Sequence, residues 1–509
     1  MKQSNMKKIS YIVILSALIL NAANAQVRQP HQLYFMNGIP QIVQMNPALQ
    51  PKANVYVFFP VINFNVDLFT DLAIKDIFQP QGNNLYTPFQ QEYDYRKLRR
   101  SIGRNATMVN LGADWDILGF GFRTRKNNYF SFGLSLHGFG NVAMPSDFFK
   151  ITENLFPANS TFDFSPLRGR GMVYTQFLFG YSRIINDRLT VGVNVKPLIG
   201  LTAFSTRINK FELRTGLDEW TLTADGKFFL SAPLEVVKER DNDDNYTYNL
   251  VDRLDGLSNM DVVRKYSKFN NPGIAFDFGA TYKIDERLTV SASLNNLGFI
   301  SWNRDLSGIT FPGGSFAFEG LEVDASQESS TDDQIRDQLD KLLDDILDGL
   351  DGEIHNDKFS TFLPTVFHAA ASYQLTRRST VGLLSRTVFW QGSVRQSFNL
   401  SYYTPVIGNF LLFNTGLTYQ INSTVYANLG LIFNFGPLQF YTLVDYIPFQ
   451  WSRISIDGDP LLPNFLGFDN FPLPAHGKSL ALRFGLNFTF GRHGFRNNPM
   501  LDRGNSSWN

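Results

Sequence analysis

Residues Leu480-Ala-Leu-Arg-Phe-Gly-Leu-Asn-Phe-Thr-Phe490 decide the fold. Successive side chains of a strand point to opposite faces. Leu480, Leu482, Phe484, Leu486, Phe488 and Phe490 therefore share one wholly apolar face, and Ala481, Arg483, Gly485, Asn487 and Thr489 share a small or polar one. The length matches the roughly 9–11 residues of a tilted strand that crosses a bilayer. The aromatic end, with Leu486, Phe488 and Phe490 on the apolar face, has the form of the strand that a Gram-negative outer-membrane barrel presents to the assembly machinery that inserts it.

The same alternation recurs along the chain. Phe130, Phe132, Leu134 and Leu136 interleave with Ser131, Gly133 and Ser135; Leu189, Val191, Val193 and Val195 interleave with Thr190, Gly192, Asn194 and Lys196. Comparable runs cover 54–66, 107–124, 171–184, 273–282, 288–294, 364–375, 379–389, 394–403, 409–419, 425–434 and 437–446. Connections sort by length. Tight polar turns occur at 125–128, 185–188, 284–287 and 376–379, and long loops at 67–106, 139–170, 297–362 and 447–477. Outer-membrane barrels have short periplasmic turns and longer extracellular loops. If the first strand runs outward, every tight turn falls in the periplasm and every long loop outside. The fold expected is all-β: a closed antiparallel transmembrane barrel of about 14 strands, or 16 if 204–214 and 219–230 add a hairpin to the wall. Closure follows because every backbone N–H and C=O in hydrocarbon must be paired, and an open edge would leave a row unpaired.

Composition agrees. The chain holds 48 Phe and 20 Tyr among 509 residues, with charged residues at 18%. Mean hydropathy is −0.15, and after the N-terminus no apolar run is long enough for a membrane helix. A barrel has this profile because only every second residue of a strand meets lipid. Charge is balanced at 46 basic and 46 acidic residues, which gives no nucleic-acid footprint. There is no Cys, so disulfides and thiol chemistry are excluded.

At the N-terminus, Lys2, Lys7 and Lys8 precede the apolar run Ile9–Leu20, and Ala23-Asn24-Ala25 fits the small-residue cleavage rule. Residues 1–25 are expected to be a signal peptide. Residues 26–53 then form an N-terminal segment partly plugging the barrel, 54–491 the barrel with its loops, and 492–509 a periplasmic tail. Within one long loop, 327–354 has helical spacing, with Ile335, Leu339, Leu342, Leu343 and Ile346 on one face and Asp337, Asp340, Asp344 and Asp345 opposite. It is expected to be an acidic amphipathic helix over the barrel mouth. The basic stretch 93–104 reads as an outward loop able to meet lipopolysaccharide anions.

Chemical motifs are sparse. The six His, at 31, 137, 355, 368, 476 and 493, are scattered, and no metalloprotease, nucleophile-elbow or phosphate-loop pattern occurs. Asp241, Asp243, Asn245 and Asp252 echo a calcium loop, but Tyr246 stands where its glycine belongs. The expectation is a non-enzymatic protein with no catalytic residues, cofactor or metal. Asn46-Pro47-Ala48, just before the first strand, reads as a turn that sets the chain's entry into it.

Met45-Asn46-Pro47-Ala48, the alternating strands, and the run Ala292-Ser-Leu-Asn-Asn-Leu-Gly-Phe-Ile-Ser-Trp302 together resemble the FadL/PorV-like outer-membrane proteins, and in particular a PorV-like branch. That resemblance implies a barrel in the cell outer membrane, in contact with its lipid and lipopolysaccharide. It also implies one of two roles. FadL-type members pass hydrophobic small molecules, using an N-terminal hatch and a lateral opening in the wall. PorV-type members are partners in outer-membrane secretion or assembly complexes.

Overall fold

In the computed structural model, 14 antiparallel strands close into one barrel. The structure describes residues 30–491 apart from 87–93, 149–158, 241–245, 253–270, 319–351, 448–451, 456–469, 474–477 and gaps of three residues or fewer. The segment expected as a signal peptide, the stretch expected as a helix over 327–354 (all but its last three residues), the expected periplasmic tail, and Asp241, Asp243 and Asn245 of the calcium-like pattern lie outside the described residues.

The barrel strands are β1, in two segments (Val55–Phe58 and Asn63–Thr70), β2 (Ala106–Arg123), β3 (Asn128–Pro145), β4 (Arg168–Ile184), β5 (Leu189–Thr215), β6 (Pro272–Lys283) and β7 (Leu288–Trp302). They continue with β8, also in two segments (Phe359–Phe362 and Thr365–Gln374), β9 (Thr380–Trp390), β10 (Ser393–Ile407), β11 (Leu411–Gln420), β12 (Val425–Phe435), β13 (Leu438–Ile447) and β14 (Ser479–Phe490). Each pairs with its sequence neighbour, and β14 closes the ring on both segments of β1. Among the described residues no helix is long and apolar enough to cross a membrane.

Alternation carries through from sequence to structure. In β14, Ala481 and Asn487 are fully buried while Leu480 and Phe490 are 39% and 48% exposed. Leu118, Phe120, Phe122, Phe179, Phe278, Leu297, Phe299, Leu383, Phe389, Leu400 and Leu417 are likewise exposed on other strands. The barrel thus turns an apolar band outward and a polar set inward, the reverse of a water-soluble protein.

The candidate extra hairpin does form, but it does not enter the wall. β5 runs 27 residues, and beyond the barrel it pairs with Trp220–Ser231, which pairs in turn with Leu306–Phe318. Pairing of β5 with β6 stops at Ile199. The strand count therefore stays at 14, and the segment 297–362 expected as a loop supplies two strands of the projecting sheet, Leu306–Phe318 and Glu353–His355, the second of which takes Glu353 and Ile354 out of the helix expected over 327–354. Alternation marks which face a residue takes, not which strand it pairs with, so the two placements read alike in sequence.

Several wall ladders carry single-residue bulges, and the largest register shift is at β1. From Val57 to Asn63, β1 advances six residues while β14 advances three, from Phe488 to Gly485. At the same height β2 bulges between Asp116 and Leu118.

Candidate functional site

Residues 30–53 run through the middle of the barrel. His31–Phe35 and Pro40–Gln44 are short 3-10 helices joined by turns. The first has no side-chain cap of its own; its first N–H, of His31, is satisfied by the wall, and at its other end the Met36 N–H donates to the Leu33 carbonyl. Leu33, Met36, Ile39 and Ala48 have no exposed surface, and neither do His31, Gln32 and Asn46. An apolar cluster joins Leu33, Met36, Ile39 and Met45 to Leu384, Leu412, Ile432 and Tyr441 on four strands.

Polar contacts reach nearly all round the wall. The backbone N–H of His31 donates to Asp445 Oδ2 at 2.7 Å, and its ring Nδ1 lies 2.6 Å from the same oxygen. Gln41 Nε2 donates to Asn487 Oδ1 at 2.8 Å, and Asn487 Nδ2 donates back at 3.1 Å. Asn295 Nδ2 donates to the carbonyls of Gln44 and Met45, Asn194 Nδ2 to that of Val43, and Gln439 Nε2 to that of Gly38. Arg483 Nη2 donates to Asp116 Oδ2 at 2.6 Å and to Gln44 Oε1 at 3.1 Å.

Asn46-Pro47-Ala48 is not the entry turn expected of it. It lies in the lumen, buried, seven residues before β1. Asn46 Nδ2 donates to Tyr34 Oη at 2.9 Å, and Asn46 Oδ1 accepts from the Ala48 N–H at 2.9 Å, closing an Asx turn. Two wall glycines make room: a Cβ at Gly279 would collide with Asn46 Oδ1, and one at Gly192 with the Pro47 carbonyl. Leu486, Phe488 and Phe490, the residues expected to signal insertion, stand on the outward face of β14, away from this packing.

The lumen changes character along its axis. Around residues 30–53 polar groups, among them the ion pair Lys196–Asp277 at 2.7 Å, share the lumen with the apolar cluster described above. Toward the long-loop end it becomes apolar. Phe139, Met172, Tyr174, Leu198, Ala275, Ile300, Trp302, Phe359 and Trp390 form one buried cluster from seven strands, completed by Phe229 and Leu306 of the projecting sheet. Gly200 leaves the space that Trp302 fills, and Trp302 Nε1 donates to Thr361 Oγ1 at 2.8 Å.

Two arrangements have hydrolase connectivity. Ser135 Oγ lies 2.8 Å from His137 Nε2, whose Nδ1 is 2.6 Å from Asp114 Oδ1. Ser397 Oγ lies 2.9 Å from His31 Nε2, whose Nδ1 meets Asp445. Both are buried; the cavities beside the two serines are about 20 and 10 Å³, and one of about 50 Å³ borders His137. Such spaces hold about one to four waters, not an ester. The hydrogen bonds of the two arrangements tie β13 and β10 to the lumen segment through His31, and β2 to β3 through His137. Spacing could not reveal them, because His31 is 414 residues from Asp445.

A cavity of about 160 Å³ lies at the short-turn end below residues 34–52. Lys52 borders it, and burial pushes its ammonium down to about 8. An unfolded Lys holds its proton to about 10.4. Between those values the unfolded chain binds the proton that the folded one has lost, so stability rises with pH across the window, and the burden of the buried charge is complete below it. Lys52→Met should therefore raise the heat-unfolding temperature at pH 7, with the gain shrinking as pH approaches 10. A gain independent of pH would refute the assignment.

The chain matches, over residues 47–445, the family model described as "Family of unknown function (DUF5723)". No curated protein sequence matches it. Among solved structures, the toluene transporter TodX of P. putida is 10% identical, with 88% of this chain and 93% of that one covered and a TM-score of 0.39. A FadL homologue of Pseudomonas aeruginosa is 12% identical, with 88% and 92% covered and a TM-score of 0.36. A porin of Rhodopseudomonas blastica is 7% identical, with 86% and 100% covered and a TM-score of 0.22. These values are too low to transfer any property of those proteins.

Proposed function

Given that this chain belongs to the DUF5723 family of unknown function, we propose that it is an outer-membrane barrel, closed to water, that admits hydrophobic small molecules. The observation that carries this reading is the apolar outer half of the lumen. A barrel built to pass water and ions keeps its lumen polar. Here the inward positions of seven strands switch from polar to aromatic and aliphatic at the long-loop end, which is extracellular in this reading. Trp302, Trp390, Phe139 and Phe359 offer a site for an apolar solute and little for an ion. Below them residues 30–53 block the axis, so the solute would leave sideways, where β1 breaks register with β14 and β2.

A second reading is a PorV-like barrel that conducts nothing and serves as a structural partner in an outer-membrane complex. One observation favours it: the apolar cluster is packed, with no cavity beyond about 160 Å³ among those described, and that one lies at the other end.

Quenching of tryptophan fluorescence by a brominated alkane, with the protein in nanodiscs, separates the two. The conduit reading predicts saturable quenching that weakens severalfold in Trp302→Phe/Trp390→Phe. Quenching that rises linearly with alkane, and equally in both proteins, would sink it and favour the partner role.

A further inference from the structure

We infer that the cavity at the short-turn end is a binding site for a compact oxyanion, a phosphate or carboxylate group. This goes beyond the conduit reading and does not depend on it. Three observations support it. The cavity is roomy, at about 160 Å³, which is roughly ten water-sized spheres. Its charge is one-sided: Lys52, Arg123, Lys283, Arg287, Arg377 and Arg378 line it against the single carboxylate of Glu286. And it holds an unanswered donor. Tyr403, 4% exposed, lines the cavity with a hydroxyl that has no hydrogen-bond partner among the described residues. A buried hydroxyl without a partner is costly, and one that faces a cavity is a donor open to a ligand there.

The cations divide by task. Arg123 is already engaged: its Nη2 donates to the Pro51 carbonyl at 2.8 Å, and its guanidinium lies over the Tyr129 ring. It therefore shapes the floor. Lys52 lies over the Tyr403 ring, with Nζ 5.8 Å from the centroid, so ammonium and hydroxyl belong to one locus. Lys283 and Arg287 flank the turn after β6, and Arg377 and Arg378 the turn after β8. These side chains come from two neighbouring turns and from the segment that fills the lumen. A guanidinium fork grips an oxyanion in two places, whereas chloride gains no such geometry.

The test is thermal unfolding and calorimetry of the full chain in detergent, titrated with sodium phosphate or acetate against sodium chloride at matched ionic strength. Saturable binding and a raised unfolding temperature with phosphate or acetate, absent with chloride, are expected. Tyr403→Phe, which removes only an unpartnered hydroxyl, should fold normally and bind severalfold more weakly. Arg377→Gln/Arg378→Gln, on an exposed turn, should bind at least tenfold more weakly. A short-chain phosphatidic acid, tested alongside, separates the sources: preference for it over phosphate assigns the site to a lipid headgroup, and equal or weaker binding assigns it to a free solute. Equal response to chloride, or binding unchanged in both variants, would overturn the site.

Discussion

Gly192→Val/Gly279→Val should open the barrel to ions. In the wild-type lumen, Pro47 lies against Gly192 and Asn46 against Gly279, each closer than any Cβ allows. Neither neighbour can step aside freely. Pro47 presents backbone at the contact, and Asn46 is tied to Tyr34 and to the Ala292 carbonyl. Overpacking costs about 1–3 kcal/mol per site, and the cheapest relief is to move residues 46–48 as a unit. Doing so breaks the bonds that Asn295 and Ser293 make to the Met45 carbonyl. The wall itself is unaffected, since its ladder hydrogen bonds do not involve these side chains. The variant should therefore still close and insert, but conduct in a planar bilayer where the wild type does not. Equal silence of the two proteins would show that the segment does not seal the lumen.

The second large effect is expected at Arg483. Its guanidinium is 2% exposed and meets Asp116, itself 4% exposed. Removing one member of a buried pair leaves an uncompensated charge, which costs about 3–5 kcal/mol. Arg483→Met should lower the temperature at which the folded, fast-migrating band converts on an SDS gel. Arg483→Met/Asp116→Asn should recover part of the loss, because no lone charge then remains. Gln44, which bonds to both residues, joins this pair to the lumen segment. If the double variant is as unstable as the single one, the pair is not what holds that corner. Its position behind the register break of β1 makes it the natural brace for the least regular part of the wall.

Much of the fold was legible because a strand writes its two faces into alternate residues. Arg483, Asn487 and Thr489 sit on the polar face in the sequence and on the lumen face in the structure. Lys196 and Asn194 behave likewise on β5. The turns at 185–188, 284–287 and 376–379 also stand where their polarity placed them. What alternation cannot carry is partnership. Nothing local in Asp445 points to His31, or in Asn487 to Gln41, since these contacts span more than 400 residues. The role of Asn46-Pro47-Ala48 was hidden for a related reason. An Asx turn looks the same whether it opens a strand or packs in a lumen, and only Gly192 and Gly279, far along the chain, distinguish the two.

The claim on which the rest depends is that the chain's own residues 30–53 fill its barrel. The chain has no cysteine, so single thiols report without background. Ala48→Cys and Ala53→Cys place one at positions that are 0% and 2% exposed, and Thr376→Cys supplies an exposed control in a turn. Labelling of the folded protein by a small maleimide should be rapid at 376 and negligible at 48 and 53, with all three reacting after heating in SDS. Fast labelling at 48 and 53 in the folded protein would contradict the account.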